Sequence, residues 1–356
     1  MRTRHLRATT VAAALAVGGV VLGLAPVLPA SASVRGGPAQ ERVYAPYYEA
    51  YLAGSLAHTA IQSNVRFATL AFVQAATKTG PGACTLTWNG DKKAPVSGGD
   101  FKKGIDSLRS RGGDAIVSFG GFSADNGGTE IADSCHSVSK IAAAYEQLVT
   151  TYKLDRLDMD IEAKSLTNKG GIDRRDKAIA MLDKWAAAHH RKLWVQFTLG
   201  VEPTGFDSGT LGILRNAVKN GATVNSVNLM VFDYYLGKET KQLNMAALAI
   251  KAALTVHAQL APIFSHRSSA GLWRMMGFTM LPGIDDYPRK TEVTSLTGAG
   301  TVMKFARARQ MDFLSIWALQ RDNGRCPGKI DSNTCSGVKQ QPWAFSHLLE
   351  SYSSRH

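Results

Sequence analysis

The residues most able to do chemistry lie in residues 154–162, which read Leu-Asp-Arg-Leu-Asp-Met-Asp-Ile-Glu. Asp158, Asp160 and Glu162 alternate with apolar residues, so a β-strand would place the three carboxyls on one face. Like charges this close raise one another's pKa, and a carboxyl with a raised pKa can donate a proton near neutral pH. The stretch therefore predicts an acid–base site on a strand.

The segments on either side of this strand indicate that it is buried. A solvated sheet edge would also tolerate alternating acids. Residues 139–152 and 172–189, however, have helical patterns, and a strand between two helices is typical of a βαβ unit with a parallel sheet. Buried carboxyls need hydrogen-bond partners or shared protons, which favours a functional site over a solvated edge.

The spacing of the acids also resembles a known family. Asp155, Asp158, Asp160 and Glu162 reproduce the D-x-x-D-x-D-x-E signature of glycoside hydrolase family 18, and the chain resembles the secreted bacterial chitinases of that family. Arg156 departs from the pattern, since the family often has Gly directly after the first Asp. The resemblance implies a (β/α)8 TIM barrel as the fold.

The elements that must position these acids alternate along the chain. Strand-like segments are 43–47, 67–73, 114–119, 154–162, 193–199, 224–232, 276–280 and 313–318, and helical ones include 101–111, 211–220, 245–260 and 298–309. This order predicts an α/β fold, either a (β/α)8 barrel or a doubly wound sheet, and the resemblance favours the barrel. Catalytic groups of such barrels lie at the carboxyl ends of the strands.

Candidate substrate-binding residues follow from these strand ends. Ser118, in Ser-Phe-Gly-Gly, resembles the family's S-x-G-G motif and could donate a hydrogen bond to Asp158. Gln196, within the fifth strand, is expected either to reach the cleft or to be a satisfied buried amide.

The sixth strand ends in a partial match to the family's M-x-Y-D motif. Met230 and Asp233 match, but Phe232 stands where the motif has Tyr. The resemblance implies that a Tyr hydroxyl holds the substrate's acetamido oxygen, so Tyr234 becomes the candidate donor. A core aromatic is the alternative interpretation.

Three aromatic residues are expected to line the cleft. Trp317, at the end of the eighth strand, resembles the tryptophan on which the family packs a sugar ring beside the cleaved bond. Tyr47 and Phe72 resemble further cleft positions, although such residues are also common in barrel cores.

The resemblance further implies substrate-assisted retaining catalysis. Glu162 would protonate the leaving oxygen and later act as base, while the substrate's own N-acetyl oxygen attacks the anomeric carbon. Asp160 would orient the acetamido nitrogen, and Asp158 would share a proton with Asp160. The expected partner is therefore chitin or N-acetylglucosamine oligosaccharides.

The chain begins with a pattern typical of a secretory signal peptide. Basic residues near the start are followed by an apolar run and then by Ala30-Ser31-Ala32. We predict a signal peptide over 1–32, a lead-in over 33–41 and one catalytic domain over 42–356, in a secreted monomer with no membrane contact after cleavage. The four cysteines of an exported chain predict two disulfides, Cys326 with Cys335 and Cys84 with Cys135.

Other functional classes are poorly supported. The formal net charge of +13 arises from scattered basic residues without a nucleic-acid motif. The sequence lacks a G-x-S-x-G elbow, an H-E-x-x-H metal motif and a P-loop, so no cofactor is expected. Two alternatives to a chitinase remain. One is an endo-β-N-acetylglucosaminidase acting on N-glycans. The other is a non-catalytic barrel lectin, which Phe232 favours and the three intact acids argue against.

Overall fold

The computed structural model describes residues 42–234, 236, 241–286, 291–330 and 332–353. The predicted signal peptide (1–32) and the lead-in (33–41) lie outside the described residues and stay predictions. The sheet is built from parallel strands with helices between them. Within the described ranges the strands are β1 (Val43–Tyr44), β2 (Tyr47–Glu49), β3 (Ala68–Ala75), β4 (Leu86–Trp88), β5 (Ala115–Gly120), β6 (Arg156–Ile161), β7 (Trp194–Gly200), β8 (Ser226–Met230), β9 (Met276–Met280), β10 (Gly283–Ile284), β11 (Val293–Thr294) and β12 (Phe313–Ile316).

The parallel strands close into a barrel. The hydrogen-bonded order runs β1, β12, β9, β8, β7, β6, β5, β3, β2. β1 and β2 are separated only by Ala45 and Pro46, so together they form one interrupted strand that pairs with β12 on one side and with β3 on the other. The predicted (β/α)8 barrel is confirmed.

Helices cover the outside of this barrel. In the same ranges they are α1 (Leu56–Ser63), α2 (Lys102–Ser110), α3 (Phe122–Asp125), α4 (Ile131–Ser134), α5 (Val138–Tyr152), α6 (Lys169–Ala188), α7 (Ser208–Asn220), α8 (Met245–Leu260), α9 (Ser269–Trp273), α10 (Leu296–Ala308) and α11 (Ala344–Leu349). The main apolar core lies between these helices and the strands.

Local sequence explains how the helices before and after the acid strand begin and end. The Ser137 side chain caps α5 by accepting a hydrogen bond from the Lys140 N–H, and α5 ends at Lys153 in the left-handed conformation. The Asn168 side chain caps α6 in the same way. These caps set where the chain leaves one helix, crosses the barrel wall as β6 and enters the next.

Several boundaries differ from the predicted ones. The first predicted strand, 43–47, is broken because Pro46 has no N–H to donate to a ladder. The acid strand ends at Ile161, so Glu162 is the first residue beyond it. α1, β4 and the β10–β11 hairpin were not predicted, since they are short and have weak periodicity.

Both predicted disulfides are present, Cys84–Cys135 and Cys326–Cys335. The first joins the segment after β3 to the end of α4. None of the helices in the described ranges is long and apolar enough to cross a membrane.

Candidate active site

The three acids lie at the carboxyl end of β6, between β5 and β7. Asp158 pairs in register with Ser118 on β5 and with Gln196 on β7, and Asp160 pairs with Gly120 and Thr198. The alternating apolar residues of the strand are buried in the core outside the barrel. The period-two pattern therefore places Asp158 and Asp160 in the barrel interior, as expected.

Asp158 is fully buried and accepts four hydrogen bonds from side chains. Thr198 Oγ1 and Gln196 Nε2 lie 2.6 and 3.0 Å from its Oδ1, and Ser118 Oγ and the Tyr47 hydroxyl lie 2.7 and 2.8 Å from its Oδ2. Burial raises the pKa of Asp158 above its usual value, and these hydrogen bonds, that of Thr198 first, limit the rise. The sequence predicted the bond from Ser118 and missed the one from Thr198.

Asp160 has the opposite surroundings. Its side chain is buried, and its Oδ1 has no hydrogen-bond partner within the described part of the chain. Burial, followed by the charges of Glu162 and Asp158, raises the pKa of Asp160 well above its usual range. Asp160 is thus the carboxyl of the pair that holds a proton more readily.

Glu162 is half-buried at the mouth of the barrel. Burial raises its pKa to about 7, as do the charges of Asp233 and Asp125, whereas a backbone hydrogen bond from Phe122 lowers it. A carboxyl with a pKa near neutrality can both donate and accept a proton during a reaction. The acids that raise the pKa of Glu162 lie at the end of α3 and in the segment after β8, which the sequence pattern alone did not indicate.

An aromatic cluster lies beside the acids. The rings of Phe72 and Trp317 are stacked, with centroids 5.4 Å apart and planes 19° apart, and Tyr47 meets Trp317 edge-on at 5.4 Å. Trp317 is half-exposed, whereas Tyr47 and Phe72 are buried. The structure therefore brings the three predicted aromatics together, with Trp317 as the exposed member and Tyr47 also bound to Asp158.

Two glycines at the end of β5 allow close approaches around the site. Gly120 and Gly121 have φ values of 88° and 70°. A Cβ on Gly120 would lie 2.4 Å from the Asp160 carbonyl oxygen, and one on Gly121 would lie 2.4 Å from the Phe72 ring. The glycines of the S-x-G-G-like motif are required for this packing.

Phe122 is a site residue that the sequence did not single out. It follows these glycines, and its side chain is 60% exposed. Its backbone contacts the Glu162 carboxyl. The exposed ring of a residue whose backbone contacts Glu162 is a surface on which the apolar face of a sugar could pack.

The segment after β8 holds Asp233 near Glu162. Met230 and Asp233 are partly exposed, and their place in a substrate cleft stays a prediction. Asp233 has φ 52°, its N–H donates to Asp285 Oδ2 at 3.0 Å, and the two carboxyls are also hydrogen-bonded. Asp285 therefore fixes Asp233, a role that the sequence did not reveal.

Three sequence expectations need correction or lose support. Gln196 is buried with its amide on Asp158, so it holds the carboxyl and does not reach the cleft. Ser118, grouped with the substrate-binding residues, likewise contacts Asp158. Tyr234 is fully buried in the main core and its hydroxyl has no partner within the described residues, so its role as acetamido donor stays a prediction that this placement does not support.

The remaining acid of the motif lies away from the site. Asp155 precedes β6 at the opposite end of the barrel, where its exposed carboxyl lies 3.6 Å from Arg191. Among the described residues, no group of three or more His, Cys, Asp or Glu side chains is arranged to hold a metal ion.

Comparison with known proteins gives relatives of one kind. The "Probable bifunctional chitinase/lysozyme" of Escherichia coli (strain K12) is 31% identical over 327 residues, covering 88% of this chain and 35% of the relative. "Endochitinase 11" of Metarhizium anisopliae is 30% identical over 290 residues, covering 79% of this chain and 53% of the relative. The chain thus spans about a third to a half of the length of these relatives. No family model matches the chain.

Solved structures agree with the sequence relatives. The catalytic domain of the hyperthermophilic chitinase from Pyrococcus furiosus has a TM-score of 0.75 and 27% identity, covering 88% of this chain and 96% of that one. Catalytic-site mutants of the same chitinase, complexed with chito-oligosaccharides, match with a TM-score of 0.75 and 26% identity, over 88% and 95% of the two chains. The chain described here therefore has the chitinase-like barrel of glycoside hydrolase family 18, and its homologues and structural neighbours are chitinases.

Proposed function

We propose that this protein is a secreted chitinase that hydrolyses β-1,4 bonds between N-acetylglucosamine units by substrate-assisted retaining catalysis. The observation that carries the proposal is Glu162, a half-buried carboxyl with a pKa of about 7 at the end of β6, directly after the buried Asp158 and Asp160. The similarity to chitinases of known structure supports the same substrate class.

In the proposed reaction, Glu162 gives its proton to the glycosidic oxygen as that bond breaks. The substrate's N-acetyl oxygen attacks the anomeric carbon from the opposite face and forms an oxazolinium ion. Asp160 accepts a hydrogen bond from the acetamido N–H. Water then attacks the anomeric carbon and breaks its bond to the N-acetyl oxygen, while Glu162 takes a proton from the water; this regenerates the acetamido group and the acid and retains the configuration.

The aromatic cluster supports a sugar-binding role beside these acids. The Trp317 ring stacks on Phe72 and meets Tyr47 edge-on, so its orientation is held by packing before any ligand arrives. A rigid aromatic face suits the apolar face of a pyranose ring and binds it at low cost in side-chain entropy.

The test is hydrolysis of N-acetylglucosamine oligomers and colloidal chitin by the wild-type protein and by Glu162→Gln, with anomeric products followed by NMR. Glu162→Gln keeps the shape of the side chain but has no acidic proton, so we expect turnover to fall by about 10³-fold or more while oligomers still bind. Matched glucan oligomers, which lack the acetamido group, should not be cleaved. Near-normal turnover by the variant, inverted products or cleavage of glucans would refute the proposal.

A further inference from the structure

The hydroxyl of Thr198 lies at the centre of a buried hydrogen-bond network. Its Oγ1 is 2.6 Å from Asp158 Oδ1, 2.9 Å from Asn228 Nδ2, 3.1 Å from the Tyr47 hydroxyl and 3.3 Å from Gln196 Nε2. All five side chains are buried. The directions of the hydrogen bonds can therefore be worked out from donors and acceptors alone.

The two amide groups decide these directions. A threonine hydroxyl has one proton to donate and two lone pairs to accept with, and an amide nitrogen can only donate. Asn228 and Gln196 therefore occupy both lone pairs of Thr198, which leaves its own proton for Asp158. The Tyr47 hydroxyl finds no lone pair on Thr198, so its proton also goes to Asp158.

Asn228 is itself held from the far side. Its Nδ2 donates to Thr279 Oγ1 at 2.7 Å as well as to Thr198, so both amide hydrogens are used. Asn228 on β8 and Thr279 on β9 therefore fix the orientation of the Thr198 hydroxyl on β7, which donates to Asp158.

Asp158 thus has all of its acceptor positions occupied by hydrogen-bond donors, whereas Asp160 does not. Asp158 receives two donors on each oxygen, which matches the four acceptor positions of an ionised carboxylate. A proton on Asp158 would have to displace one of these donors. Asp160 Oδ1, in contrast, has no partner in the described part of the chain, so a proton there displaces nothing.

We propose that Thr198 is a positioning residue of the active site: oriented by the amides of Asn228 and Gln196, its hydroxyl holds Asp158 as an ionised carboxylate, so that a proton taken up by this pair of carboxyls resides on Asp160. This inference rests on the proposed function for its kinetic readout but not for its spectroscopic one.

The titratable groups that face Asp158 are few. Tyr47 faces it from β2, and Asp160 lies two residues on along its own strand. The neighbouring strands β5 and β7 present only the neutral side chains Ser118, Gln196 and Thr198. A change in the titration of Asp158 after a substitution at Thr198 is therefore attributable to the lost hydrogen bond.

The first test follows the carboxyls directly, by carbon NMR of protein labelled at the aspartate carboxyl carbon, with signals assigned through Asp158→Asn and Asp160→Asn. In the wild type we expect Asp158 to be ionised and Asp160 neutral over the pH range in which the pair holds a single proton. In Thr198→Val we expect Asp158 to take up a proton about one unit or more higher in pH, as suits the loss of a hydrogen bond to a charged group. A neutral Asp158 in the wild type would overturn the proposal.

The second test is the pH dependence of kcat/KM on N-acetylglucosamine oligomers. Protonation of Asp158 adds a second proton to the pair, so Thr198→Val should raise the acid-limb pKa by about one unit and lower kcat roughly tenfold, with KM little changed. Thr198→Ser, which keeps the hydroxyl, should restore the wild-type profile. A uniform loss of activity without a shift of the acid limb would indicate a merely structural role and contradict the proposal.

Two further variants separate orientation from packing. Thr69→Val makes the same buried change, but that hydroxyl donates to the Ala45 carbonyl, so the profile should not move. Asn228→Leu does not touch Asp158 but frees a lone pair on Thr198 for Tyr47, so a smaller shift of the same sign is expected. No shift in Asn228→Leu would refute the orienting role of the amide. Failure of the wild type to cleave any oligomer would refute the proposed function. The NMR titration would still test the proposed role of Thr198.

Discussion

Three carboxyls on β6 and directly after it acquire three different properties from their immediate neighbours. Asp158 has four donors, Asp160 has a buried oxygen without a partner, and Glu162 lies half-buried at the barrel mouth. Low dielectric surroundings favour the neutral form of a carboxyl, whereas donated hydrogen bonds favour its ionised form. The three acids are therefore equally spaced in the sequence but differ in how readily they hold a proton, and this difference follows from their contacts.

At this scale the pH dependence of activity is predictable. Glu162 must be protonated to act as acid, so kcat/KM should fall as pH rises through about 7. The charge of Asp233 raises the pKa of Glu162, and Asp233→Asn removes that charge while Asn tolerates the φ of 52°. We therefore expect the basic limb of Asp233→Asn to move to lower pH. Asp106→Asn, at an exposed carboxyl on α2, serves as the control, and an unmoved limb in Asp233→Asn would contradict the assignment.

At the scale of elements, the barrel wall behind the acids rests on a buried polar group that we call the Arg175 cluster, made of Glu130, Tyr145, Arg175 and Asp176. Arg175 on α6 lies 3.7 Å from Asp176 and 6.0 Å from the Phe197 ring on β7. Glu130 caps α4 and packs beside Gly120 on β5. The cluster therefore joins three helices, α4, α5 and α6, to the strands that carry the site.

This arrangement predicts a large effect on stability from one residue. Arg175→Met keeps much of the apolar stem but leaves the buried carboxyls of Glu130 and Asp176 without their cation. We expect a loss of about 3–5 kcal/mol in the free energy of unfolding. Lys177→Met, on the same helix, breaks only the exposed pair with Asp173 and should cost less than about 1 kcal/mol. Chemical denaturation of both variants measures the difference, and equal effects would show that the cluster does not anchor α6.

At the scale of the molecule, several buried carboxyls retain protons near neutrality. Burial is the main cause that raises the pKa of Glu49, Glu130, Glu162 and Asp176 to about 7. Glu49 and Glu162 lie at the ends of β2 and β6, whereas Glu130 lies at the start of α4 and Asp176 on α6, among the helices that cover the barrel. The fold therefore binds protons that the unfolded chain, with ordinary carboxyl pKa values, has already released.

The sign of the effect on stability follows from this proton uptake. A carboxyl with a raised pKa in the folded state contributes stability that is complete below its unfolded pKa and is lost as pH rises through its folded pKa. We therefore expect the midpoint of thermal unfolding to fall between about pH 5 and pH 8. Calorimetry across that range measures it, and a midpoint that rises with pH would mean that these carboxyls are ionised in the folded protein.

Much of the fold could be predicted because its signals are local. The alternating apolar residues of β6, the helical patterns on either side of it and the strand segments that follow reflect the periodicity of strands and helices, which each segment carries within itself. The cysteine pairing also followed from spacing. The short β4 was missed because three residues are too few to show a strand period, and the break at Pro46 was missed although a proline without an N–H is a local signal.

The sequence by itself determined which residues could do the chemistry: three acids at alternate positions, glycines at the end of β5 and a tryptophan at the end of β12. Only the tertiary structure decided what each one does. Thr198, Asn228 and Asp285 act through hydrogen bonds to residues between 30 and 52 positions away in the chain, and Tyr234 is buried despite its place in a motif. The physical reason is that periodicity is a property of one segment, whereas burial and hydrogen-bond partners depend on which segments the closed barrel brings together.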